Sequence, residues 1–318
     1  MQTHSRRSEA ELMTIVPFYG KTKYIELGKA FCPIYYLNKS EIVMLDTGTG
    51  VIEGLPEWLQ AQGLRVRAIF CSHLHPDHIA NNEPIYRKFG SEIFLSEEDL
   101  SYLLENGNPF SEKDIKQWQA GRWTAAAGRR DLPYPVTLLP SQDQTVDLDG
   151  TPMRILYTPG HSPCHYCIVT PDDVCYVGDL ILSSEILETS KMPYFWRYVP
   201  GMRSIYRMRN ARYSRYLIAH KGTAAKEEWE DLVDRNIHKE LSLYDQLRSL
   251  VSDGMDCEEL LERFEDLLRI SPTVRKREYF RESVRDRIQA MESIGEVEIK
   301  EGKLYRSRNG HEKERTAP

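Results

Sequence analysis

Between Phe70 and Ala80 the chain reads Phe-Cys-Ser-His73-Leu-His75-Pro-Asp77-His78-Ile-Ala, which puts three of its nine histidines and a carboxylate within six positions. The motif closes an apolar run, Val66 to Cys71, that reads as a strand. Side chains alternate along a strand, so His73 and His75 project to the same side at its C-terminal end. Asp77 and His78 follow on a turn leading into a helix, which swings two more groups around the same point. Neutral imidazole and carboxylate are the ligands that zinc and iron prefer, so this spacing predicts a metal site.

Further elements follow in order. An apolar strand ends in an acidic turn, Ile42-Val-Met-Leu-Asp46-Thr-Gly48. Thr158-Pro-Gly160-His161-Ser-Pro places a histidine near a strand, Val177-Gly178-Asp179 ends another, and Leu217-Ile-Ala-His220 ends a last one. Together with His-x-His-x-Asp-His, these motifs over residues 12–222 resemble the metallo-β-lactamase superfamily, in particular its glyoxalase-II-like and LACTB-like hydrolases. The resemblance implies an α/β (α+β) fold, the αββα sandwich of two facing sheets with helices outside and a site along one edge. It implies that His73, His75 and His161 hold one divalent ion and Asp77, His78 and His220 a second, with Asp179 bridging. Asp46 is placed behind them, fixing a ligand imidazole. Zinc is the expected metal, with iron or manganese as alternatives. The implied chemistry is hydrolysis by a metal-bridging hydroxide, with Asp77 also orienting the nucleophile. Two departures stand out: Lys221 follows the last histidine where the family often has glycine, and Cys164 precedes His165 where it often has glycine.

Elsewhere the residues read as short strands Leu12–Val16, Lys23–Leu27, Pro33–Leu37 and Glu41–Leu45, then a helix over 51–62, strand Val66–Cys71, one helix near Asp77–Phe89 and strand Ser91–Leu95. Residues 97–130 read as polar and helical with Trp118 and Trp123 as anchors, and the resemblance implies that such an insertion covers the mouth of the site. Val136–Leu139, Met153–Tyr157, Tyr166–Thr170 and Val174–Val177 complete the strands. After His220 a long helix over 226–251 carries Trp229, Leu232, Val233, Ile237, Leu241, Tyr244, Leu247 and Leu250 as its apolar stripe. Asp256 with Glu259 resembles a capping box, Ser271-Pro272 starts a third helix, and 296–307 reads as a hairpin. Helix, helix, helix, hairpin is the order of a winged helix. The expected division is a catalytic domain over 1–225 and a helical, winged-helix-like domain over 226–318.

The 318 residues carry a net charge of −6, which argues weakly against general nucleic-acid binding. The average hides nine basic and no acidic residues from Ser190 to Lys226, interleaved with aromatics. That stretch reads either as a helix packing its aromatics on the core or as a wall for an anionic substrate. His165, Lys221, Arg197 and Tyr194 are candidate substrate contacts or proton donors. No apolar run approaches the roughly 20 residues of a membrane span, and six scattered cysteines suit a reducing compartment, so cytoplasmic residence is expected. The expected substrate is a small anionic ester, thioester or lactone. A nuclease or phosphodiesterase and an iron-dependent redox or sulfur-handling enzyme are the alternatives, and the C-terminal helices are a candidate homodimer surface.

Overall fold

The strands Glu41–Leu45, Glu92–Ser96, Tyr166–Val169, Val174–Tyr176 and Arg215–Ile218 are buried on both faces after their first residues at most, so both sides of the sheets they form are covered. In a computed structural model the chain is described over residues 13–27, 30–48, 52–106, 132, 134–270 and 274–307. The first sheet holds β1 (Thr14–Tyr19), β2 (Thr22–Leu27), β3 (Ala30–Tyr36), β4 (Glu41–Leu45), β5 (Arg65–Phe70), β6 (Glu92–Ser96) and β7 (Thr137–Leu139), in that order across the sheet. Its first four strands are antiparallel and the pairs from β4 to β7 parallel. Helices α1 (Leu55–Ala61), α2 (Pro76–Ile79), α3 (Asn82–Phe89) and α4 (Glu97–Asn106) lie between its strands in sequence.

The second sheet holds β8 (Gln144–Leu148), β9 (Thr151–Tyr157), β10 (Tyr166–Val169), β11 (Val174–Tyr176), β12 (Arg215–Ile218) and β13 (Gly222–Ala225), again in chain order. Between β11 and β12 come α5 (Ser184–Thr189) and α6 (Tyr198–Arg209). The chain then continues through α7 (Lys226–Leu250), the two-residue β14 (Met255–Asp256), α8 (Cys257–Leu267), α9 (Val274–Ser293), β15 (Val297–Lys300) and β16 (Lys303–Arg306). β16 lies between β14 and β15 in a third small sheet. Asp256 accepts from Glu259 N at 2.8 Å and caps α8.

Alternation assigns the layers. Val43, Leu45, Ala68 and Phe70 face inward against Ile155, Tyr166, Ile168, Tyr176 and Leu217 of the other sheet. Ile42, Met44, Val66 and Ile69 face outward under Leu55, Leu59 and Ile85 of α1 and α3. On the far side Cys167, Val169, Cys175, Tyr216 and Ile218 meet α6 and the first half of α7. This is the expected αββα sandwich. Leu243 and Leu247, later on α7, join Leu260, Phe264, Val284, Ile288 and Leu304 in a separate core, so one helix serves two cores.

Several expectations change. The helix over Asp77–Phe89 is two helices, because Asn81 turns its side chain onto Ile52 N (2.7 Å) and Thr47 O (2.8 Å) rather than continuing the first. The α7 stripe is shifted: Leu241 is 40% exposed, while Glu240 is buried beside Arg287. β8 and β13 are additions to the expected strands, since Gln-Thr-Val-Asp-Leu and Gly-Thr-Ala-Ala carry little strand propensity. Trp118 and Trp123 lie outside the described residues, as does Ser271-Pro272.

Candidate metal centre

Asp46 lies just past β4, Ser72, His73 and His75 just past β5, Asp179 three residues past β11, and His220 two past β12. β10 runs antiparallel to β11, so the loop before β10 brings His161 and His165 to the same edge. The seven residues expected as ligands converge there. His73, His75 and His161 each offer an atom within 4.8 Å of the others; so do His73, His78 and Asp179, and so do Asp77, His78 and His220. Asp179 Oδ2 is 3.4 Å from His78 Nε2 and 3.5 Å from His161 Nε2, and its Oδ1 is 3.4 Å from His220 Nε2.

Hydrogen bonds on the far ring nitrogens turn the near ones inward. His78 Nδ1 lies 2.7 Å from Asp46 Oδ2, and His73 Nδ1 is 2.9 Å from Ser72 Oγ, which itself donates to Asp46 Oδ2 at 2.6 Å. His161 Nδ1 is 3.2 Å from Tyr194 O, and its Nε2 lies 3.0 Å from His75 Nδ1. Donation from Nδ1 to oxygen leaves Nε2 as the lone-pair nitrogen. Nε2 of His73, Nε2 of His78 and Oδ1 of Asp179 are buried without a hydrogen-bond partner among the described residues. Buried polar atoms are seldom left so, and converging lone pairs of this kind fit divalent cations.

The electrostatics divide the cluster. Burial, reinforced by the neighbouring imidazoles, holds His73 and His75 well below the ordinary histidine value, and burial lowers His161 too. These three are neutral at pH 7, as ligands must be. For His78 burial is opposed and outweighed by Asp179, Asp46 and Asp77, which hold it well above the ordinary value. Asp179 raises His220, and His78 with His220 holds Asp179 well below the carboxylate range despite its burial. Positive charge is therefore favoured on the side of the cluster where Asp77, His78, Asp179 and His220 meet.

The supporting residues are more numerous than the sequence indicated. Asp46, 1% exposed and at φ +62°, also accepts from Ser72 N (2.6 Å) and Tyr176 OH (2.6 Å). Asp99, which looks like an ordinary acid in the first turn of α4, is buried and ties the two histidine loops together. It accepts from Leu74 N (3.2 Å), Ser162 Oγ (3.1 Å) and Cys164 N (2.6 Å), and burial pushes its carboxyl up to about 7. Gly160 sits at φ +136°, and a β-carbon there would lie 2.1 Å from Gly201 Cα.

The model of the metallo-β-lactamase superfamily matches residues 27–244. The chain belongs to the metallo-β-lactamase superfamily. It is similar to hydroxyacylglutathione hydrolase GloC of Haemophilus influenzae, 24% identical over 163 residues, covering 50% of this chain and 69% of that one. It is also similar to the β-lactamase-like protein 2 homolog of Drosophila melanogaster, 24% identical over 45% of this chain; there the match spans only 44% of the relative's length. Among solved structures it resembles a metallo-β-lactamase family protein of Thermus thermophilus, with TM-score 0.64 and 19% identity over 92% of this chain and 97% of that one.

Around this superfamily site the four candidate substrate residues separate. His165 is fully buried. Its Nδ1 pairs with Thr158 Oγ1 at 3.0 Å and its Nε2 accepts from Asp179 N at 3.3 Å, so no nitrogen or open face remains to meet a substrate. Lys221 pairs with Glu26 at 2.6 Å and Arg197 with Asp286 at 3.0 Å. Tyr194 does cover the cluster, its ring 5.6 Å from that of His161 and 6.0 Å from that of His75. In the basic stretch Arg207 pairs with Asp143, Arg209 with Asp234 and Glu230, and Arg212 with Glu230, so much of its charge is met within the protein. Cys164 packs between the sheets and Cys167 on the outer face, so the two thiols, three residues apart, do not face a common site. A cavity of about 190 Å³ has His161, Asp179, His220 and Glu240 among its lining residues. Among the described residues no helix is long and apolar enough to cross a membrane.

Proposed function

We propose that this superfamily member is a binuclear metal-dependent hydrolase of a small thioester or related ester or lactone. The observation that carries the reading is the set of overlapping donor groups, with His73 and His78 each serving two of them and their Nε2 atoms unpartnered among the described residues. His73, His75 and His161 would hold one ion and Asp77, His78 and His220 the other, with Asp179 facing both; zinc suits this donor set, as do iron and manganese. When bound, such ions polarise a substrate oxygen and lower the pKa of water towards about 7. Asp46 fixes the orientation of His78 directly and that of His73 through Ser72, and Tyr194 screens the cluster from bulk water. Asp77, 35% exposed beside His78 and His220, stands where it orients the attacking water. The likeness to a hydroxyacylglutathione hydrolase supports an acyl thioester as substrate class.

The helix–strand–helix–helix–hairpin order after residue 226 supports a winged-helix-like module over 226–318, appended to a catalytic domain over 1–225 with α7 common to both. Its helices remain the proposed homodimer surface. Six unpaired cysteines favour a reducing compartment, and the cytoplasm is the proposed location. Elemental analysis of the purified protein, followed by a screen of thioesters, lactones and phosphodiesters, tests the reading. Two divalent ions per chain and thioester turnover abolished by chelation are expected. Phosphodiester cleavage alone, or full activity without metal, would overturn it.

A further inference from the structure

The cavity that shares His161, Asp179 and His220 with the candidate metal centre is otherwise mainly apolar, lined by Leu180, Leu182, Ile186, Met192, Phe195 and Ile205. Two of its other polar lining residues are engaged within the protein. Asn236 donates to Leu182 O (3.0 Å) and accepts from Leu182 N (2.9 Å), and Glu240 is paired with Arg287. Among the described lining residues there is neither lysine nor arginine, while Asp179 and Glu240 are acidic.

The apolar wall is tightly packed. Phe195 is 2% exposed and lies so close to α6 that a β-carbon on Gly201 would come within 2.6 Å of its ring, and its backbone N–H donates to Ser283 Oγ at 3.1 Å. Leu180 and Ile205 are 2% and 1% exposed. Close-packed interiors yield little, so such a wall limits the size of what it contacts. At about 190 Å³, with roughly 30 Å³ for each water-sized group, the space takes about six heavy atoms. A second cavity, of about 470 Å³, shares Ser190, Met192 and Tyr194 with the first and adds Tyr279 and Phe280. It leaves room for a bulkier leaving half, so the small cavity falls to the acyl chain.

We infer that the small cavity receives the acyl chain of the substrate, and that this chain is short, aliphatic and uncharged. Its assignment as an acyl chain rests on the hydrolase reading above. The inference narrows that reading and departs from the anionic substrate expected from the basic stretch, whose arginines are largely met by Asp143, Asp234 and Glu230. A carboxylate at the end of the chain would be desolvated among aliphatic side chains, with no lysine or arginine among the described lining residues to meet it. A chain well beyond about six carbons would have to displace the packed wall.

Calorimetric titration of the metal-loaded, full-length protein with acetate, butanoate, hexanoate, decanoate and adipate tests this without depending on turnover. Affinity is expected to rise about three- to fourfold per methylene from acetate to hexanoate, and to rise no further at decanoate. Adipate, as long as hexanoate but with a second carboxylate, is expected to bind at least about tenfold more weakly than hexanoate. Ile186→Phe fills the cavity and should move the optimum down to butanoate or acetate. Met192→Ala widens it and should move the optimum past hexanoate. Opposite shifts separate a lining role from a general loss of fold, and the metal content of each variant shows whether the cluster is intact. Thioesters of one common thiol should follow the same ladder in kcat/KM.

Equal binding from acetate to decanoate, a rise that continues to decanoate, tightest binding of adipate, or an optimum that neither variant moves overturns the inference. So does a turnover that depends on the alkyl length of the thiol half instead of the acyl half. Length preference in binding without any thioester turnover would sink the hydrolase reading and leave the aliphatic site standing; thioester turnover without the preference would do the reverse.

Discussion

Asp46 and His78 are joined by a 2.7 Å contact between Oδ2 and Nδ1, in a place where each is almost wholly buried. The same carboxylate accepts from Ser72 and Tyr176, so one side chain orients two histidines from beneath. An imidazole held this way would lose little freedom on binding a cation, and the effect is measurable.

Asp46→Asn keeps the shape and suits the φ of +62°, since asparagine tolerates the left-handed region. It replaces an acceptor-only group by one whose NH2 faces other donors. Metal affinity should fall about 10- to 100-fold, with stability lowered by roughly 1–3 kcal/mol. Competition with a chelator and thermal unfolding of the metal-loaded protein report the two effects.

Gly160→Ala should be far worse than Gly63→Ala, although both glycines have positive φ. At Gly63 (φ +73°) a β-carbon meets nothing within 4 Å, so only the backbone cost of about 1–2 kcal/mol applies. At Gly160 it would strike Gly201 and push away the loop bearing His161. A further loss of about 1–3 kcal/mol, with the metal stoichiometry reduced, is expected from denaturant unfolding and metal analysis.

Much of this candidate centre can be read from the sequence because its donor groups sit in local motifs. His73, His75, Asp77 and His78 announce themselves by spacing, and His161, Asp179 and His220 by the order of strand ends. Asp99 is not legible there, since a carboxylate in the first turn of a helix is ordinary, and only its burial reveals that it ties Leu74 to Cys164. Tyr176 hides in an apolar run. Glu240 and Arg287 look like surface charges for the same reason that Leu241 looks like core: a helical stripe counts apolar residues and cannot see an ion pair replacing one. The close approach of Gly160 to Gly201 joins two loops that nothing in the sequence relates.

The core formed by Leu247, Leu260, Phe264 and Ile288 should lose stability in acid. Glu265 accepts from both Arg281 and Arg277, which hold its carboxyl down to about 2 from about 4.5. A depressed carboxyl contributes stability that is complete above pH 4.5 and is lost as pH falls towards 2. Discounted for solvent screening around Arg277, the contribution is about 2 kcal/mol. Glu265→Gln should lose it at pH 7 and flatten stability against pH between about 4.5 and 2, as followed by circular dichroism.

Trp229→Ala should cost about 3–5 kcal/mol. The indole stacks on Tyr216 at 3.7 Å and donates to Met208 O at 2.8 Å, fastening α7 to the second sheet. Chemical denaturation gives the value, and a shift below about 1 kcal/mol would mean that α7 is held elsewhere.

Anomalous X-ray diffraction from crystals of the protein as purified tests the metal centre most directly. Two peaks are expected, one among His73, His75 and His161 and one among Asp77, His78 and His220, with Asp179 between them. An absence of peaks at this edge after growth in metal-replete medium, or ions held by other side chains, would contradict the assignment.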